Sequence, residues 1–278
     1  MAGTLYVVAT PLGNLQDLTL RAADVLRRVE VVAAEDTRRT RALLTHFGIS
    51  GKKLHTLNAH ARDADLEALL ELVEAGNDLA LTTDAGMPSV SDPGTRLVAR
   101  AAERRLDVVP IPGPSAVATV LSAAGLPADR YLFLGFVPRK GSERTRLLTR
   151  AAQEEWSVVL FEAPNRVVAL LEDLAEVAGE GRRVTIGREL TKLHEEIVAG
   201  TLADMAGYYT KSEPRGEFTV VLEGTGQPAA APDRSAEAAE LARRLLAEGH
   251  SRREVAQQVA TELGLARNAA YRLVTGLP

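Results

Sequence analysis

The sequence predicts an α/β protein: two consecutive α/β domains and then a short all-helical module. Three observations predict it. Strand-like and helix-like segments alternate through residues 1–112, the rhythm of a largely parallel sheet with helices on its faces. After a break at Gly125-Leu126-Pro127, a second set of strands and helices runs to residue 223. Beyond residue 233 only helical periodicity remains.

The elements follow in order. Thr4–Ala9 reads as a short buried strand. Thr19–Val29 reads as a helix, because Leu20, Ala22, Ala23, Val25, Leu26 and Val29 fall on one face, with Asp17 or Thr19 as its cap. Val31–Ala34 is a strand, and Thr37–Phe47 a helix that ends before Gly48. Lys53–Leu57, Leu79–Thr83 and Val108–Ile111 are strands; Ala64–Glu74 and Thr95–Arg105 are helices. Ser115–Ala124 is a junction helix. The second region carries strands near Tyr131–Phe136, Val158–Phe161, Val184–Gly187, Glu195–Ala199 and Phe218–Glu223. Its helices lie near Glu143–Ala152, Arg166–Ala178 and Leu202–Tyr209. Gly224–Pro232 is rich in Gly, Pro and Ala and reads as a linker. The boundaries are therefore 1–112, 113–224, a linker at 225–234, and a module at 235–278. In that module Ala236–Ala247 is helical, Ser251 and Glu254 form a capping box for a second helix to Leu263, and Gly264-Leu265-Ala266 turns into Arg267–Thr275. This fits helix-turn-helix, with Arg267, Asn268, Tyr271 and Arg272 on the last helix, and equally a plain three-helix bundle.

Composition excludes several functions. The chain has 278 residues, 46% hydrophobic and 25% charged, so it can bury a sizeable core. It has no cysteine, which removes disulfides, thiolate metal sites and cysteine nucleophiles. Its 5 histidines are scattered, and no metal is expected. No apolar run approaches the roughly 20 residues of a membrane span. Met1–Val8 has no basic segment ahead of its apolar run, so no secretory signal is predicted and the expected location is cytoplasmic. The net charge of −4 argues against an indiscriminate nucleic-acid binder. The charge is uneven, however: Pro138–Arg150 holds Arg139, Lys140, Arg144, Arg146 and Arg150 against Glu143.

Ligands of open α/β sheets bind outside the carboxyl ends of the strands. Four such exits carry unusual loops: Thr10-Pro11-Leu12-Gly13-Asn14-Leu15, Glu35-Asp36-Thr37-Arg38-Arg39, Asp84 to Gly94 (DAGMPSVSDPG), and Pro112-Gly113-Pro114-Ser115-Ala116. Gly and Pro allow tight turns and close backbone approach to a ligand, so the four corners point to one composite site. The G-x-G-x-x-G, P-loop and G-x-S-x-G patterns are missing. Asp84 could receive a ligand amine or hydroxyl, or cap a turn; Ser115 could donate to a ligand or cap its helix.

Three later segments extend the pattern: Phe161-Glu162-Ala163-Pro164-Asn165-Arg166, Gly187-Arg188-Glu189-Leu190-Thr191-Lys192 and Arg215-Gly216-Glu217-Phe218. In this order, over roughly residues 4–223, the loops resemble the tetrapyrrole-methylase superfamily, in its branch acting on small-subunit ribosomal RNA. The resemblance implies two α/β domains of the tetrapyrrole-methylase type with S-adenosylmethionine in the cleft between them. It also implies a homodimer, and 2′-O-methylation of a cytidine in the decoding region, on small-subunit RNA or the 30S particle. Carried over by position, the donor site takes Leu12 and Gly13; Asp84, Gly86 and Met87; Ser115 and Ala116; and Phe161, Ala163, Glu217 and Phe218. For Phe161 and Phe218, plain core packing is the alternative.

A ribose hydroxyl is a poor nucleophile, so a base or a polarising cation should assist. Glu35, Asp36, Glu189 and Lys192 are the candidates at loop and strand ends. A neutral Lys192 would need a depressed pKa, and the acidic groups could instead pair with neighbouring arginines. Arg38, Arg39 and Arg41, with Arg139, Lys140 and Arg144, could neutralise RNA phosphates; the second cluster could equally be an exposed helix face. A methylase of a small tetrapyrrole, and a ligand-sensing DNA-binding regulator that reads DNA with residues 251–275, are the rival readings.

Overall fold

Short Val-, Leu- and Ala-rich segments build the first sheet of the computed structural model, which describes residues 1–91, 94–212, 214–227, 235–263 and 267–277. Strands β1 (Thr4–Val8), β2 (Val31–Ala34), β3 (Lys53–Thr56), β4 (Leu79–Thr82) and β5 (Asp107–Ile111) pair in parallel in the order β3-β2-β4-β1-β5. Strand alternation sets the layers. Leu5 and Val7 join the apolar cluster of α3 (Asp63–Glu74) and α4 (Thr95–Glu103). Tyr6 and Val8 face the opposite way, with α1 (Leu20–Arg28) and α2 (Thr37–His46). Thr19 caps α1 by accepting from Ala22 N at 3.1 Å. Arg96 and Arg100 on α4 and Arg104 at its C-cap stand one turn apart and pair with Asp63, Glu67 and Glu74 of α3, so these arginines stitch two helices together.

The second sheet is mixed. Strands β6 (Tyr131–Phe136), β7 (Ser157–Glu162), β8 (Arg183–Arg188), β9 (Glu196–Thr201) and β10 (Phe218–Leu222) lie in the order β6-β7-β10-β8-β9. β6 and β7 are parallel; β10 runs antiparallel to β7 and β8, and β9 antiparallel to β8. One face is covered by α6 (Ser142–Gln153), α7 (Val167–Ala178) and α8 (Leu202–Lys211). The other receives α5 (Ala116–Ala123), whose Val117, Val120 and Leu121 pack on Val159, Leu190 and Val221. Gly187 makes this approach possible, since a Cβ there would stand 3.0 Å from Val120. Helix α5 therefore leaves the exit of β5 and seats itself on the second sheet.

A bulge interrupts β6. Phe133 pairs with Val159 but Gly135 pairs with Leu160, so Leu134 is the extra residue, and Gly135 takes φ +67°. The bulge resets the alternation. Phe133 and Phe136 consequently flank Phe161 on the same face, at ring separations of 4.9 and 5.4 Å.

Residues Met1–Pro228 form one compact unit and Ala229–Pro278 another. Within the second, α9 (Ser235–Ala247), α10 (Arg252–Leu263) and α11 (Arg267–Thr275) bury Ala238, Leu245, Val255, Val259, Ala270 and Val274. Ser251 and Glu254 make the expected capping box. No helix among the described residues is long and apolar enough to cross a membrane. Asp92 and Pro93 of the third corner, linker residues 228–234 and the Gly264-Leu265-Ala266 turn lie outside the described residues.

Candidate active site

The four strand exits meet. Thr10 and Gly86 exchange backbone hydrogen bonds of 2.9 and 3.0 Å, which ties the β1 corner to the β4 corner. Ala9 N donates to Ile111 O at 3.2 Å, and a Cβ on Gly113 would stand 2.8 Å from that of Ala9, so the β5 corner closes on the same point. Gly86 has φ +85°, and a Cβ there would meet Leu12 at 3.4 Å and the Pro114 carbonyl at 3.8 Å. Only glycine combines that conformation with that proximity at low cost.

The β2 corner joins through carboxylates. Glu35 Oε2 accepts from Thr83 Oγ1 at 2.7 Å and from Asp84 N at 3.2 Å. Asp84 Oδ1 accepts from Asp36 N at 3.1 Å, and Oδ2 stands 3.4 Å from Arg39. Burial, reinforced by the nearby Glu35 charge, raises the Asp84 pKa above the usual aspartate value. Glu35 thus braces the third corner and pairs with no arginine among the described residues. Asp36 is a helix cap: it accepts from Arg38 N at 2.8 Å and chelates the Arg38 guanidinium, which pulls its pKa down to about 2.

The second sheet reaches the first corner through the loop after β8. Asn14 N donates to Thr191 Oγ1 at 3.1 Å, and the Lys192 stem lies across Gly13, where a Cβ would come within 2.2 Å of it. The Lys192 ammonium donates to Glu189 Oε1 at 2.8 Å and to Glu217 Oε2 at 3.2 Å. Burial alone would depress its pKa, but the two carboxylates outweigh burial and hold it above the ordinary lysine value. Glu189 is likewise subject to burial, overcome by Lys192 and the Glu217 N–H, and its pKa is lowered. The raised pKa of Lys192 favours its charged form, so of the two roles open to it the polarising cation is supported. Glu189 and Thr191 take positive φ of 50° and 68°, conformations that fold this loop back over Gly13.

Other expectations divide. Leu12, Met87, Ala116, Phe161 and Ala163 are half-buried around these corners. Ser115 occupies the N-cap position of α5, yet its side chain makes no capping bond. Phe218 is corrected: it pairs with Glu162, faces opposite Phe161, and packs edge-to-face on Tyr209 in the core. Its backbone follows Glu217 into the site, but its ring is only 2% exposed. Arg144 is also corrected as an RNA contact. It shares the inward stripe of α6 with Leu148 and Ala151, and donates to Asp173 at 2.9 Å and to the Pro138 carbonyl at 3.0 Å. Arg139 and Lys140 are exposed and have no ion-pair partner among the described residues. Sequence reasoning missed Glu217 as an ion-pair partner of Lys192, and it missed the buried Glu162, which grips Arg166.

The corners suit S-adenosylmethionine. Backbone groups stand at glycine-permitted distances, Leu12, Met87 and Phe161 offer apolar surface for a purine, and Asp84 and the uncapped Ser115 hydroxyl offer an acceptor and a donor. Comparison with known proteins places the fold in the same class. Uroporphyrin-III-C-methyltransferase from Thermus thermophilus superposes with a TM-score of 0.55 at 20% identity, covering 79% of this chain and 94% of that one. Cobalt precorrin-4 methyltransferase, a cobalamin biosynthetic enzyme, gives 0.61 at 18% identity, with the same coverage of 79% and 94%. Residues 4–206 match the family described as Tetrapyrrole (Corrin/Porphyrin) Methylases, and the chain belongs to that family. It is a methyltransferase whose donor is S-adenosylmethionine.

Its full-length relatives are more specific. The chain is 43% identical over 274 residues to the ribosomal RNA small subunit methyltransferase I of Synechocystis sp., covering 98% of this chain and 97% of that one. The Escherichia coli O157:H7 protein of the same name is 40% identical over 271 residues, 97% and 94% of the two chains. The Thermotoga maritima protein of that name is 41% identical over 222 residues, which is 80% of this chain but 99% of its own.

Proposed function

We propose that the protein transfers a methyl group from S-adenosylmethionine to the ribose 2′-oxygen of a cytidine in the decoding region of small-subunit ribosomal RNA. The observation that carries this is the Lys192 ammonium laid across Gly13, at the point where the strand-exit corners converge. The relatives that match nearly all of this chain are named for small-subunit ribosomal RNA.

Leu12, Gly13, Gly86, Met87, Ser115, Ala116, Phe161 and Ala163 would hold the donor, with Asp84 accepting from its amino or hydroxyl groups. Bound there, S-adenosylmethionine supplies an electrophilic methyl on a sulfonium. The protein's own part is orientation: holding nucleophile, carbon and sulfur in line can supply roughly 7–11 kcal/mol of the barrier. Lys192 has a third N–H beyond the two given to Glu189 and Glu217. Directed at the acceptor 2′-oxygen, it would stabilise the negative charge that grows there as the O–CH3 bond forms, the S–CH3 bond breaks to leave the neutral thioether, and the hydroxyl proton passes to solvent water. Glu189 keeps that lysine charged and aimed, and Glu35 sets the backbone of the Asp84 corner. Arg38, Arg39, Arg139 and Lys140 would meet RNA phosphates.

The enzyme acts in the cytoplasm, as a homodimer; sedimentation of the full chain tests the second point. The test of the reaction is mass spectrometry of RNA from 30S particles incubated with enzyme and labelled donor. One 2′-O-methylcytidine is expected. Label in a porphyrinogen and none in the particle would replace this reading with its rival.

A further inference from the structure

An exposed aromatic ring stands beside the proposed donor corner, with Phe161 its one ring partner among the described residues. Phe136 is 59% exposed at the last position of β6. The bulge at Leu134-Gly135 brings it there: an uninterrupted strand would turn residue 136 away from Phe133, whereas here both rings stand beside Phe161. Phe161 in turn shares an apolar cluster with Leu12 and Ala116 of two donor corners. Gly135 is also where the β4 corner touches this sheet, since a Cβ there would lie 3.1 Å from Ser91 Oγ. Of the exposed aromatic side chains, Phe136 at 59% is the one that the bulge brings beside Phe161.

The ring opens onto a cavity of about 560 Å³ whose wall includes Pro138, Arg139, Asn165 and Arg166. Its floor is rigid. Arg166 donates to the Val137 carbonyl at 2.6 Å and to Glu162, so neither group is free to move. Its rim is cationic, with Arg139 exposed and Lys140 next in sequence. An aromatic platform flanked by unpaired cations is the arrangement by which proteins hold single-stranded nucleic acid: the ring stacks a base and the cations track its backbone. Enzymes that work on a nucleotide within a folded RNA need such a seat, because the reacting sugar is reached only when the strand is held out of its helix.

We propose that Phe136 is the stacking platform for an unpaired nucleobase of the RNA substrate, with Arg139 and Lys140 engaging the adjoining phosphates. This rests on the RNA reading above and names the residue that grips the acceptor strand. The base is that of the acceptor nucleotide or of its immediate neighbour, and the experiment separates the two.

Phe136→Ala and Phe136→Trp are compared with wild type in the full chain. Initial rates on 30S particles should show KM raised roughly 5- to 100-fold in the alanine variant, the range of one lost base–aromatic stack, and restored within about 3-fold by tryptophan. The dissociation constant for S-adenosylmethionine should be unchanged, and so should the melting temperature, because the ring is exposed. In parallel, decoding-region RNA oligonucleotides carry 2-aminopurine at the acceptor position or at either neighbour. Fluorescence quenching on binding should appear at one position and vanish with Phe136→Ala, which identifies the stacked base. If wild type methylates 30S particles and the alanine variant matches it in KM and quenching, the platform is refuted while the RNA reading stands. If wild type fails to methylate 30S particles, the RNA reading itself falls.

Discussion

Replacing Lys192 with methionine keeps most of the stem that covers Gly13 and deletes the charge, so Lys192→Met isolates the ion triad. The bond to Glu189 joins side chains 29% and 20% exposed, and should contribute about 1.5 kcal/mol, the low end for a hydrogen bond between charged groups. The bond to Glu217, whose side chain is 73% exposed, should add at most about 0.5 kcal/mol. The loss is therefore about 2 kcal/mol near neutral pH, or about 4–8 °C in melting temperature for a unit of this size. The chain has 1 tryptophan, Trp156, and it lies in the unit that holds the site. Urea unfolding followed by its fluorescence reports that unit alone.

The sign of the pH dependence makes the test stringent. Glu189 has a lowered pKa in the folded protein, so its contribution is present above the ordinary glutamate range and is lost as pH falls through the lowered value. Lys192 has a raised pKa, so its contribution is present below the ordinary lysine range and is lost only as pH rises through the raised value. The difference between wild type and variant should be flat from about pH 5 to 10 and shrink below about pH 4. Methyl transfer should fall about 100-fold or more in kcat, as when one charge-stabilising donor is removed, with donor affinity retained. A stability loss under about 0.5 kcal/mol at neutral pH, or one equal at about pH 3.5 and 7, would refute the reasoning.

Other perturbations separate the remaining parts. Asp84→Asn should weaken S-adenosylmethionine at least about tenfold by calorimetry, yet leave the free protein as stable or more stable at neutral pH, because a carboxylate with a raised pKa destabilises the fold once ionised. Gly86→Val should abolish donor binding and cost about 1–3 kcal/mol in urea unfolding, since a β-branched residue must adopt φ +85° against Leu12 and Pro114. Arg144→Ala should cost stability, about 1–3 kcal/mol, while RNA KM stays within about twofold; Arg139→Glu should do the reverse, raising KM and flattening its salt dependence. A chain ending at residue 227 should keep its donor affinity by calorimetry, because the proposed donor corners lie within the compact unit Met1–Pro228.

The first sheet was readable because its physics is local. Apolar four- and five-residue runs such as Val31–Ala34 are buried on both faces of a parallel sheet, and the helices between them, such as Leu20–Arg28, carry one apolar stripe. The convergence of the exits was readable for a topological reason: parallel strands present their carboxyl ends on one edge. Side-chain direction was harder. A single added residue at Leu134 reverses the phase of a strand, and nothing short of the Gly135 conformation announces it. The pairing of Lys192 with Glu217 crosses 25 positions and depends on β8 and β10 being neighbours, an order no local pattern carries. Arg144 had a readable signal that the charge run concealed, for it precedes Leu148 by four residues and Ala151 by seven, one stripe of one helix.

The same distinction explains how this fold can change acceptors. The donor corners are built from backbone hydrogen bonds and glycine contacts, such as Thr10 to Gly86 and Gly113 to Ala9, which tolerate wide side-chain change elsewhere. Structures at 18–20% identity share the fold. The groups proposed to face the acceptor are of another kind: an exposed ring at Phe136, a loop cation at Lys192, and exposed charges at Arg139 and Lys140. None of these side chains is buried in the core of either sheet; exchanging Phe136, Arg139 or Lys140 should cost folding little, whereas Lys192 also carries its ion pairs. Acceptor choice would then be set by a few side chains standing on a rigid donor frame, and substitution of those side chains should alter KM for RNA while leaving the donor constant untouched.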